Sequence, residues 1–148
     1  MDRSFLSIRW LVVATVAAVI LVVSVLPPPS DVGSQLGPFG LVGIDKWFHG
    51  LGYSLLAGVL AIALADNPRS DRTIAVLTFG ITVAYGLGIE LLQLAIPRRQ
   101  FDLFDLLANS LGAAAVGIGW RIIPRRWRGR TGIDDREGDG TTTDRPPR

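Results

Sequence analysis

The chain has 148 residues, 49% of them hydrophobic, with a mean hydropathy of +0.38 and a formal net charge of +2. That length suits one compact unit, and so apolar a composition beside a long polar tail argues against an ordinary soluble domain, while the lack of a basic stripe removes nucleic-acid binding. The absence of cysteine excludes disulfides, thiolate metal sites and a cysteine nucleophile.

A helix crosses a hydrocarbon core of ~30 Å in about 20 residues, and four segments have that length and polarity. Residues 8–26 are almost wholly Val, Ala, Leu and Ile and end at Pro27. This run is longer than a signal-peptide core and no A-x-A-like site follows it, so it reads as an uncleaved span. Residues 47–65 follow a Gly- and Pro-rich link, residues 74–96 stop at Pro97, and residues 103–123 stop at Pro124. Residues 125–148 are basic, then acidic, then rich in Thr and Pro, a composition that buries too little apolar surface to fold and predicts a disordered tail. The sequence thus predicts an all-α integral membrane bundle of four transmembrane helices. Residues 1–124 form the membrane domain and residues 125–148 a cytoplasmic tail.

Orientation follows from Arg and Lys near the span ends. With the N-terminus inside, Arg3, Arg9, Arg69, Arg72, Arg121, Arg125, Arg126, Arg128 and Arg130 lie inside, and only Lys46, Arg98 and Arg99 lie outside. Nine against three predicts N-in and C-in, in a multi-pass protein of the cell membrane. The first span has no glycine, which suits a lipid-facing helix. The others carry small residues at four-residue spacing: Gly50, Ser54 and Gly58; Gly80, Ala84 and Gly88; Ala108 and Gly112 with Ala113 and Gly117. Such stripes let helix backbones approach closely, so the last three helices are expected to form the tight unit.

Ionisable groups inside a membrane segment cost on the order of 2.5–3.5 kcal/mol each and usually mark a site. Here the polar residues gather where the second span starts, the third ends and the fourth starts. Asp45, His49 and Tyr53 recur every four residues, Glu90 and Gln93 are three apart, and Asp105 and Asn109 are four apart, so each set shares a helix face. At 1.5 Å per residue, a span ending at residue 96 puts Glu90 about 9 Å below its end. The expected geometry is an outward-opening polar pocket with Glu90 at its floor and Arg98 and Arg99 at its rim. Asp45 and Asp105 are equally read as first-turn acids or helix caps, Gln93 and Asn109 as interhelical glue, and Lys46 as a snorkelling anchor. Asp45, His49, Glu90 and Asp105 include metal-ligand types, but no H-E-x-x-H signature accompanies them, and no metal or other cofactor is expected. No G-x-S-x-G elbow or phosphate-binding glycine loop is present either.

The order D-K-x-x-H at Asp45–His49, then Tyr53, E-x-x-Q at Glu90–Gln93, and Pro97-Arg98-Arg99-Gln100-Phe101-Asp102 leading into D-L-L-A-N-S-L-G at Asp105–Gly112 resembles the VanZ-like membrane proteins over residues 44–119. Arg99 matches the arginine of the family's link between the third and fourth helices. Arg98 stands where the family usually has glycine. The resemblance implies a multi-pass membrane fold and a family whose named member is associated with reduced sensitivity to the glycopeptide teicoplanin.

Two functions are compatible with these residues. In the first, Asp45, Tyr53, Gln93, Arg99, Asp102 and Asn109 bind an amphiphilic or lipid-linked ligand at the outer leaflet, with membrane lipids as the other partners. In the second, His49 and Glu90 act as an acid–base pair, with Asp105 orienting His49, on lipid headgroups or lipid-linked saccharides. A proton-coupled transporter fits less well, because all the polarity lies near one face.

Overall fold

The computed structural model describes residues 3–26, 35–66, 69–97 and 100–122, with side chains from residue 8 onward. The predicted tail 125–148 and the two link arginines, Arg98 and Arg99, lie outside these residues. Four α-helices follow one another: α1 (Arg3–Val25), α2 (Ile44–Leu64), α3 (Asp71–Gln93) and α4 (Leu103–Ile122). All four are long and apolar enough to cross a membrane, as the hydropathy pattern predicts. A short 3-10 turn at Pro38–Gly40 and an isolated bridge between Leu36 and Gly43 shape the link into α2.

The helix ends follow local chemistry. Ser70 caps α3 by accepting a hydrogen bond from the Thr73 amide at 3.1 Å, and Asp102 caps α4 by accepting one from the Phe104 amide at 2.8 Å. The third helix ends at Gln93, three residues earlier than expected. Proline has no N–H to continue the ladder and disfavours helical geometry in the residue before it, so Pro97 ends the helix from a distance. The chain tightens into 3.0 Å bonds from Ala95 to Leu92 and from Ile96 to Gln93. Glu90 is therefore only about 4.5 Å of helical rise from the end of its helix, shallower than the expected 9 Å.

The strongest packing is of α4 on α2 and then on α3, whereas α1 packs mainly on α2 and only locally on α3. Gly112 explains the closeness of α2 and α4: a methyl group there would collide with the Gly50 carbonyl and the Ser54 hydroxyl. The small residues of α3 behave otherwise. Gly80, Ala84 and Gly88 are exposed, and a side chain at Gly80 or Gly88 would meet nothing within 4 Å. The buried face of α3 is Ile74, Thr78, Thr82, Gly86, Ile89, Glu90 and Gln93. Polar groups cost more to leave in lipid than small apolar ones do, so the helix turns its hydroxyls and carboxylate inward and leaves its small-residue stripe outside.

The bundle is chemically divided along its length. At one end Leu60, Ala61, Leu64 and Ile74 form an apolar core flanked by Val13 and Trp120, and Arg9 pairs with Asp66. At the other end α1 stops, α2 starts, α3 stops and α4 starts, and the polar residues gather. The first helix contributes no buried residue over Ile8–Val25, as expected for a lipid-facing helix. It is held by two backbone carbonyls: Tyr85 Oη donates to Ala17 O at 2.6 Å and Gln93 Nε2 to Ser24 O at 2.8 Å.

Candidate functional site

Lys46, one residue into the first turn after Asp45, points into the gap between α2 and the start of α4. Its Nζ lies 2.9 Å from Asp45 Oδ2, 2.6 Å from Asp102 Oδ2 and 2.5 Å from Asp105 Oδ1. An ammonium group has three N–H donors, and here three carboxylates receive them. Lys46 is therefore the hub of a three-carboxylate cluster. Sequence reasoning missed this, although one signal was available: Lys46 is the only lysine in the chain, beside one of three aspartates that open helices.

His49 lies one turn further down α2. Its Nδ1 is 3.1 Å from Asn109 Oδ1 and its Nε2 is 3.5 Å from Asp105 Oδ2. A carboxamide oxygen only accepts, so Nδ1 donates to Asn109 and Nε2 is the nitrogen turned toward Asp105. Tyr53 stacks below His49 with ring centres 6.4 Å apart and planes 16° apart.

Glu90 approaches from α3. Its Oε2 accepts the Asp102 backbone N–H at 3.0 Å, which docks the start of α4 on the end of α3. Its residue is 1% exposed, as is Asn109, and Tyr53 is 2% exposed. Glu90 Oε1, Asn109 Nδ2 and Tyr53 Oη are buried with no hydrogen-bond partner among the described residues. Gly86 makes their meeting possible: a Cβ there would lie 3.0 Å from the Tyr53 ring and 3.1 Å from Asn109 Nδ2. The floor of the site is thus a donor, an acceptor and a hydroxyl that water or a ligand can complete.

At the rim, burial works against the charge of Asp102, but the hydrogen bonds from Lys46 and the Phe104 amide outweigh it and hold this carboxyl below its ordinary value. Asp45 and Asp102 remain the accessible carboxylates, with side chains 35% and 40% exposed.

The structure brings Asp45, His49, Tyr53, Glu90, Asp102, Asp105 and Asn109 to one end of the bundle. Within it, His49 bonds Asn109 and faces Asp105, whereas the hydrogen bond of Glu90 goes to Asp102. Gln93 stands apart, its amide turned to the Ser24 carbonyl of α1. Arg99 lies outside the described residues. Beside the cluster, a groove of about 480 Å³ runs between α2 and α4, lined by Lys46, Trp47, Gly50, Leu51, Phe104, Leu107 and Leu111 among others.

Fold and site together define a multi-pass membrane protein with a lysine-centred carboxylate cluster at one end of a four-helix bundle. The VanZ/LLP1 family matches residues 10–124, and the chain belongs to that family, which is associated with teicoplanin resistance. No curated protein matches the chain, and no solved structure does.

Proposed function

We propose that this protein binds an amphiphile at the outer leaflet of the cell membrane, holding the polar head at the Lys46 cluster and an apolar chain against α2 and α4. The observation that carries this reading is continuity. Lys46 belongs both to the carboxylate cluster and to the lining of the apolar groove, so a single molecule with a polar and an apolar part fits both. The arginine bias supports an outward orientation of this end. Altered sensitivity to surface-acting compounds then follows from capturing or sequestering such a molecule.

The test is native mass spectrometry of the protein purified in mild detergent, beside Leu111→Trp. Leu111 lines the groove and is 71% exposed, so a larger ring there fills the groove without disturbing the core. The wild type is expected to carry one discrete lipid or lipid-linked species and the variant to lose it. Only bulk lipid on both proteins removes the binding reading.

A second reading rests on His49. Its imidazole is oriented by Asn109 and faces Asp105, an arrangement suited to proton transfer on a lipid headgroup or lipid-linked saccharide. Glu90 supplies a second carboxyl beneath it. A new product from extracted membrane lipids, absent with His49→Ala, distinguishes this reaction from simple binding.

A further inference from the structure

The donors and acceptors of the same site bear on the kind of head it takes, an inference that rests on the amphiphile reading above. All three N–H donors of Lys46 are taken by Asp45, Asp102 and Asp105, so the ammonium has none left for a phosphate or carboxylate. His49 Nδ1 is likewise taken by Asn109, and its Nε2 lies 3.5 Å from Asp105 Oδ2. Among the described residues, what the site shows to the outside is the oxygen of Asp45 and Asp102, and a carboxylate accepts several hydrogen bonds at once. Charge points the same way. Among the described residues, three carboxylates face one ammonium, so negative charge is left over. Beneath the cluster, the nine-tenths-buried Glu90 adds Oε1, an acceptor without a partner among the described residues.

We propose that the site selects an amine-bearing lipid: its ammonium group is received by Asp45 and Asp102, and one acyl chain lies in the groove between α2 and α4. Lys46 holds the three carboxylates together against their mutual repulsion and so keeps the acceptors open toward the ligand. An anionic head meets the carboxylates of Asp45 and Asp102 first and is disfavoured.

The test uses the full chain in mild detergent and native mass spectrometry titrations with three probes of identical dioleoyl tails: phosphatidylethanolamine, its N-acetylated derivative without the ammonium, and phosphatidylglycerol. Charged hydrogen bonds of this kind support a preference of about tenfold for phosphatidylethanolamine over the other two. The double variant Asp45→Asn, Asp102→Asn is expected to abolish that preference. Asparagine keeps the capping oxygen at the start of α4, and unchanged helical circular dichroism verifies the fold. Equal binding of all three probes, lost in Leu111→Trp, overturns the ammonium assignment while leaving the amphiphile reading in place. A preference for phosphatidylglycerol that disappears with Arg98→Gln and Arg99→Gln also overturns it and makes the link the reader of an anionic head. Absence of stoichiometric binding by any probe, with no discrete species on the purified wild type, removes both.

Discussion

Lys46 shows how much depends on one side chain. Its compact ammonium sends three donors in three directions, whereas an arginine fork is planar and pairs best with a single carboxylate. Lys46→Arg is therefore not a conservative change here: it leaves at least one of Asp45, Asp102 and Asp105 without its partner. Lys46→Met leaves all three. Because the site is only partly enclosed, the expected loss for Lys46→Met is about 1–3 kcal/mol, with Lys46→Arg in between, read as the unfolding midpoint of the purified protein. Asp102 yields a pH prediction. Its carboxyl lies below its ordinary value of 3.8 in the folded protein, so the stability it contributes is present above that ordinary value and is lost as pH falls through the depressed one. Melting temperature is expected to fall more steeply below pH 3.8 in the wild type than in Asp102→Asn. Parallel curves for the two proteins contradict the Lys46–Asp102 pairing.

At the scale of helices, two glycines with similar sequence surroundings have opposite roles. Gly112 faces the Gly50 carbonyl, where an added methyl group forces α2 and α4 apart. Overpacking of this kind costs about 1–3 kcal/mol, and it also widens the gap in which Lys46 meets Asp102 and Asp105. Gly80 faces open space, so alanine there is neutral or stabilises by up to about 1 kcal/mol through helix propensity. Denaturation in mixed micelles, followed by tryptophan fluorescence, compares Gly112→Ala with Gly80→Ala directly. The four-residue spacing of small residues, identical in both helices, does not separate these cases. What separates them is that α3 must also bury Thr78, Thr82 and Glu90, and that requirement fixes which of its faces turns inward.

For the whole molecule, the division into an apolar end and a polar end matters more than any single contact. The polar end is held by groups that link helices at their termini: Glu90 receives the start of α4, Gln93 holds the end of α1, and Lys46 ties the start of α2 to that of α4. The predicted orientation is open to a direct check, since the chain has no cysteine of its own. Leu41→Cys, in the exposed link before α2, is expected to react with a membrane-impermeant maleimide on intact cells. Ala65→Cys, at the opposite end of α2, is expected to react only after the membrane is permeabilised. The reverse pattern turns the site to the inside and removes an outer-leaflet ligand.

Four spans, their order and the end at which the polar residues collect are legible in the amino-acid sequence, because hydropathy, proline stops and helical spacing act along the chain over short distances. The sequence also marked Asp45, His49, Glu90, Asp105 and Asn109 as sharing one end of the bundle, since membrane crossing returns the chain to the same surface every second span. Which of them touch is a matter of how the helices pack. The pairing of Lys46 with Asp102 and Asp105 spans more than fifty residues and depends on how α2 and α4 rotate about their axes, a rotation set by the Gly50–Gly112 contact. Gln93 likewise turns to α1 and not to the cluster because the side chain one turn from Glu90 finds the Ser24 carbonyl, a partner that no local spacing reveals.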